Sequence, residues 1–306
     1  MSRTAQGPDV SERLPPQAFF LVSAVFHYLG PSLAVLLFAH VDVLGVAWLR
    51  IASAAAVFAA WRRPWRLLLD GTNGTGHRRA TILALGVVLA AMNSLFYLAV
   101  DRLPLSTVSA IEFLGTVILA AAGTRTRRNA AALALTIAGV ATITAIRLGG
   151  QPLGFVFAFG NCALFMLYVV LGHRVASTGQ RLDLLGASML VALAVATPFG
   201  LGQALPAFRH PLLLLAGAGV GICSSVVPYV MDQLAMARLP RATFSLMLAL
   251  LPVFATIIGA LVLRQLPSAQ DLAGIALVVA GVAAHKAAHP QEGTQPWNTS
   301  GSAVQE

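Results

Sequence analysis

Apolar runs of about 20 residues follow one another along the chain, parted by short loops rich in arginine, proline and glycine. A run of that length spans a bilayer as a helix. The pattern predicts ten such helices, near 17–39, 43–61, 80–100, 103–123, 129–146, 152–172, 184–204, 211–231, 242–263 and 269–285. The last is the shortest in apolar content, bracketed by Asp271 and Lys286. Residues 1–16 are polar and lead into a full-length run without a small-residue cleavage site, so the first helix is expected to stay as an anchor. Residues 287–306 are rich in proline, glycine and serine and read as a disordered tail.

The segment 98-LAVDRLPLSTVS-109 aligns without gaps on 234-LAMARLPRATFS-245, with seven of twelve positions identical. A good helix start with proline in its first turn explains Arg-Leu-Pro alone. The identities extend past that tripeptide. Five runs separate the two copies, so the halves are expected to be inverted repeats in an all-α membrane protein, spanning 17–147 and 148–286. Inverted repeats are an architecture of secondary transporters, with the site near the midplane between the halves.

Composition agrees with this pattern. Hydrophobic residues make up 58% of the 306 residues and charged residues only 10%, against about 25% charged in a soluble domain. The net charge of +9 is no sign of nucleic acid, because the arginines sit in short loops between apolar runs and build no continuous basic face. With the N-terminus inside, fifteen basic residues fall on the cytoplasmic side. Only Arg102, Arg147, Arg209 and Arg264 fall outside, and Arg50 lies within a run. That bias predicts both termini in the cytoplasm of a bacterial inner-membrane protein. Cys162 and Cys223 lie inside apolar runs and read as packing residues. Lys286 is the sole lysine, which excludes a Walker motif. Neither a hydrolase motif nor a metal-ligand spacing occurs, so no enzyme, metal or cofactor is expected.

The candidate chemistry is sparse. Arg50 and Glu112 are the two ionised groups placed clearly inside runs. Each costs roughly 2.5–3.5 kcal/mol at a helix centre on insertion scales. They are therefore expected to face the bundle interior, a wet cavity or each other. A static pair locking two helices is the structural alternative to a site. Glu112 is the candidate for exchanging a proton. Asn93 and Tyr97, four residues apart, share a helix face, and Ser109 shares that of Glu112. Ser224, Ser225, Pro228, Tyr229 and Asp232 cluster toward the end of the eighth run, where Pro228 removes a backbone donor. His27 and Tyr28 interrupt the first run.

These stretches resemble the drug/metabolite transporter superfamily, in its ten-span branch built from two EamA domains. The resemblance covers residues 17–286. It is carried by 64-PWR-66, 92-MNSLFYLAV-100 with Leu103-Pro104-Leu105, 111-IEF-113 with Gly115, 227-VPY-229, and 238-RLPRATF-244 with Leu246-Met247 and Pro252. It implies efflux of small neutral amino acids, of the threonine and homoserine kind, by proton antiport. It also implies a central cavity lined by spans 1–4 and 6–9, with spans 5 and 10 peripheral. Carried over by position, the candidates are Asn93, Tyr97, Glu112, Tyr229 and Arg50; the residues themselves add Ser109, Ser225 and His27. The chain departs from the pattern at Val35, where a lysine is common, at Leu251, where an acid often precedes Pro252, and at Arg264-Gln265 in place of Gly-Glu.

The expectation is a secondary transporter that exchanges protons for an amino acid or analogue, embedded in lipid, as monomer or homodimer, without nucleic acid. An exporter of cationic or amphiphilic compounds and a non-transporting scaffold are the alternatives.

Overall fold

A computed structural model describes residues 14–69, 75–121, 126–144, 151–240, 244 and 247–284. The expectations for most of the N-terminal tail and for the C-terminal tail lie outside them. Among the described residues every regular element is helical. In chain order these are α1 (Pro16–Leu37), α2 (Val43–Arg62), the short α3 (Trp65–Leu69), α4 (Thr75–Val100), α5 (Leu105–Ala121) and α6 (Arg127–Thr144). Then come α7 (Pro152–Ala176), α8 (Arg181–Phe208), α9 (Pro211–Gly221), α10 (Val227–Met236), α11 (Leu251–Leu263) and α12 (Ala269–Ala284). A π-helical turn, Ile222–Val226, joins α9 to α10, and a 3-10 turn, Leu248–Leu250, leads into α11.

Every predicted run overlaps a helix, the eighth being carried by α9, the π turn and α10 together. Among the described residues six stretches are long and apolar enough to cross a membrane: Pro16–Leu37, Val43–Arg62, Gly76–Val100, Pro152–Ala176, Arg181–Phe208 and Pro211–Met236. Ala130–Gly139, Leu251–Leu263 and Ala269–Gly281 are shorter apolar helices. Large apolar side chains point outward, among them Phe199, Leu212 and Leu261, each more than two-thirds exposed. Such a surface is at home in hydrocarbon.

Local chemistry sets the helix ends. Proline opens α1, α7 and α9, where its missing N–H costs nothing. Arg63 and Arg264 close α2 and α11 in the left-handed conformation, with φ of 49° and 54°. Ser268 and Asp271 start α12 with a reciprocal cap: Asp271 Oδ2 accepts from the Ser268 amide, and the Ser268 hydroxyl accepts from the Asp271 amide. Asp271 is thereby satisfied locally.

Helix pairings come in matched sets. α2 packs on α8, α5 on α11, and α6 on α12. The α1–α10 contact has its counterpart in α7–α4, five runs on for each partner. In the same way α4–α8 answers to the contact of α9 and the π turn with α2, and α5–α7 answers to α11–α1. The π turn sits against both α1 and α2, and glycine permits both approaches. A Cβ on Gly30 would lie 2.7 Å from the Ser224 amide nitrogen, and one on Gly221 would lie 2.6 Å from the Arg50 carbonyl oxygen. Backbones that close are a recurrent device for packing helices in lipid.

Candidate functional site

The eighth run begins the site. Pro228 has no N–H, so the Ser224 carbonyl four residues earlier loses its helical donor. The backbone loosens there into the π turn, a form often found at functional positions. Arg50, carried by α2, takes the freed carbonyl: Nη2 donates to Ser224 O at 2.7 Å, and Nε donates to Ser225 Oγ at 2.8 Å. Its guanidinium carbon stands 5.3 Å from the centroid of the Tyr97 ring, a cation–π arrangement. Tyr97 thus supports Arg50 with its ring face, while its hydroxyl is buried and unpartnered among the described residues. Two neutral acceptors and a ring hold Arg50 at 4% exposure.

Glu112 is 2% exposed on α5. Asn161 Nδ2 on α7 donates to its Oε1 at 2.9 Å. The Tyr28 hydroxyl on α1 lies 2.7 Å from Ser109 Oγ and 3.3 Å from Glu112 Oε2. One phenolic proton serves one acceptor at a time, so Ser109 and Glu112 compete for it. Asn161 Oδ1 is buried without a partner among the described residues, leaving a free acceptor beside the carboxylate.

Arg50 and Glu112 belong to one cavity, lined also by His27, Pro31, Met92, Asn93, Phe96, Asn161 and Tyr229. They do not pair with each other. Among the described residues the ion pairs are Arg62 with Asp183 and Arg102 with Asp101, both near helix ends. The static helix lock considered from the sequence is therefore not what these two charges form. Asn93 and Tyr229 close the cavity between them: the Tyr229 hydroxyl donates to Asn93 Oδ1 at 3.1 Å, and Asn93 Nδ2 donates to Leu89 O at 2.6 Å. His27 lines the wall and sets its ring edgewise against Tyr28 and Phe165. The open space at the centre admits about one water molecule.

All eight residues singled out from the sequence meet here. His27, Arg50, Asn93, Glu112 and Tyr229 line the cavity. Tyr97 and Ser225 hold Arg50, and Ser109 meets Tyr28, the phenol beside Glu112. The lining comes from α1, α2, α4, α5, α7 and α10; α8 and α11, expected from the resemblance to contribute, do not reach it. α6 and α12 also stay away from the cavity and pack chiefly on each other.

The sequence reading missed three features. Tyr28 and Asn161, the direct partners of Glu112, were given no role, although an asparagine in an apolar run is itself a signal. Asp232 stood in the polar cluster at the end of the eighth run without a role of its own. The helix continues to Met236, and Asp232 is buried within it, 2% exposed. The Ser23 hydroxyl on α1 donates to its Oδ1, and the Tyr168 hydroxyl on α7 donates to its Oδ2 at 3.0 Å.

Residues 152–284 match the EamA-like transporter family. The threonine/homoserine exporter RhtA of Salmonella typhimurium is 29% identical over 286 residues, which cover 90% of this chain and 94% of that protein. The exporter of the same name from Escherichia coli is 29% identical over 272 residues, covering 87% of this chain and 89% of its own length. A solved crystal structure superposes on 88% of this chain and 96% of its own at a TM-score of 0.58, with 18% identity, a likeness of fold alone. The family match thus falls on the second half of the chain. The chain as a whole is similar to transporters of the drug/metabolite superfamily.

Proposed function

We propose that this chain is an inner-membrane secondary transporter that exports small neutral amino acids, threonine- or homoserine-like, in exchange for protons. One observation carries the reading: a carboxylate and a guanidinium share a single buried cavity without neutralising each other. An unpaired buried charge is costly. Two of opposite sign, kept apart, suit a ligand that carries both charges. Glu112 receives the substrate ammonium, with Asn161 Oδ1 as a second acceptor for it. Arg50 receives the substrate carboxylate through the N–H groups that Ser224 and Ser225 leave free. Asn93 and Tyr229 wall the space between. When the substrate leaves, a proton on Glu112 takes the place of the ammonium, so the carboxylate is neutralised in both directions, while Arg50 keeps its charge on Ser224, Ser225 and the Tyr97 ring.

The architecture proposed for this cycle is ten spans in two inverted halves, 17–147 and 148–286, with both termini cytoplasmic. The matched helix pairings and the repeat around Arg102-Leu103-Pro104 and Arg238-Leu239-Pro240 support it. The bias of loop arginines supports the orientation. A centre that holds about one water has to widen before an amino acid enters. Rocking of one half on the other supplies that opening to each face in turn.

The test is counterflow in proteoliposomes. Vesicles holding unlabelled threonine should accumulate labelled threonine and homoserine, and an acidic exterior should speed net efflux. Lipophilic cations that compete while neutral amino acids do not would replace this reading with export of cationic compounds. The presence of Arg50 in the wall argues against that outcome.

A further inference from the structure

The exporter reading leaves Asp232 without a role. Its surroundings differ from those of Glu112. Both carboxylate oxygens accept hydroxyl hydrogens, one from Ser23 on α1 and one from Tyr168 on α7. The titratable groups facing it are Tyr168 and, from its own helix, Tyr229; α1 presents Ser23. Among the described residues no cation lies against it. Three helices thus converge on one acid and two hydroxyls.

The position follows from helix geometry. Ser23 precedes Tyr28 by five residues on α1, Tyr168 follows Asn161 by seven on α7, and Asp232 follows Ser225 by seven on the eighth run. At 1.5 Å per residue, the acid stands about 8–10 Å along the bundle from the level of Tyr28, Asn161 and Ser225, and about 5 Å beyond Tyr229 in the cavity wall. All three steps lead toward the face where α1 begins and α7 and α10 end, the cytoplasmic face in the proposed orientation. Aromatic rings fill the interval: Tyr168 stands 5.5 Å from Tyr229 and 5.8 Å from Phe165, and Phe165 stands 5.9 Å from His27. These rings stand between the cavity and that face, and Asp232 ties one of them, Tyr168, to α10 and through Ser23 to α1.

We propose that Asp232 is a second proton-binding site, and that proton uptake there unlatches α1 and α7 from α10 to open the cavity to that face. The chemistry is local. A carboxylate accepts from both hydroxyls. Once a proton from water on that side adds to one oxygen, the acid becomes a donor there, and the hydroxyl that donated to that oxygen has to turn away or accept. One of the two ties is lost or reversed, and the proton returns to the same water when the latch re-forms. This inference rests on the exporter reading for its transport consequence, though not for the proton site itself.

Infrared spectroscopy on the purified full chain separates the two. On acidification, Glu112→Gln should still show a carboxylic-acid carbonyl band that Glu112→Gln/Asp232→Asn lacks. The same band in both overturns the proton site. In threonine-loaded proteoliposomes, Asp232→Asn should keep counterflow while the pH dependence of net efflux flattens, and Asp232→Glu should restore it. A wild-type pH profile in Asp232→Asn, or loss of counterflow in a folded Asp232→Asn, overturns the gating role. Should Asp232→Asn fail to fold, Tyr168→Phe keeps the acid and removes one tie. It should raise threonine exchange several-fold at zero pH gradient, and unchanged exchange overturns the latch. Absence of threonine counterflow in the wild type would sink the exporter reading and leave the infrared result to judge Asp232.

Discussion

Glu112 and Asp232 are equally buried acids in two different settings. Glu112 borders a cavity with a guanidinium in the same wall and takes one amide donor and part of one phenol. Asp232 borders no cavity described here and is held on both oxygens by hydroxyls from two other helices. In the register of the internal repeat, Glu112 falls opposite Leu248 and Asp232 opposite Phe96. The two aligned copies therefore share a helix start and not these acids: each of the two stands where the other copy has an apolar residue. An acid facing open space beside a free cation is arranged to meet a ligand. An acid tied to three helices is arranged to hold them.

The largest effect expected from this contrast is at Glu112. Glu112→Gln keeps an oxygen for Asn161 but cannot exchange a proton. Gradient-driven efflux of threonine should fall to background while thermal stability in detergent changes little. Full export by this variant would place Glu112 among structural acids and erase the comparison. Arg50→Gln comes next. Losing hydrogen bonds to a charged group costs about 1.5–3 kcal/mol, so threonine affinity, read by isothermal binding, should weaken roughly tenfold to a hundredfold. Ser225→Ala removes one of the two groups that aim Arg50 and should weaken binding by a smaller factor in the same assay.

Tyr229→Phe sharpens the picture at the wall shared by both acids. It breaks one neutral hydrogen bond, to Asn93, for about 1 kcal/mol. A double-mutant cycle with Asn93→Ala should return a coupling of that order; additivity would show that the pair does not act together. The smallest effect belongs to an acid at a helix end. Asp183 meets Arg62 at 2.7 Å, partly in solvent, and exposed pairs contribute about 0–1 kcal/mol. Asp183→Asn should leave transport unchanged and shift the melting temperature barely at all.

Much of the site was legible in the residues. An arginine and a glutamate in runs otherwise without charge have few physical excuses, and Asn93, Tyr97, Ser109, Ser225, Tyr229 and His27 were the polar groups at hand. Pro228 announced a missing donor, and the structure names the carbonyl it frees. Asp232 was in view at the end of the eighth run but without a role: a helix that ends at an acid and one that buries it four residues before its end look alike in hydropathy. Tyr28 and Asn161 were hidden because their roles exist only across helices, 84 and 49 residues away from Glu112.

The sequence by itself determined that the chain is a set of apolar helices bent on leaving water, that one twelve-residue segment recurs, and that a charge of each sign goes in with them. Those facts follow from solvation, which each residue feels almost independently of the rest. Only the tertiary structure decided that Arg50 and Glu112 stay apart, that the π turn offers its carbonyl to α2, and that Asp232 ties three helices. Those are questions of a few ångströms between distant segments, settled by how glycine, proline and ring stacking let the helices approach.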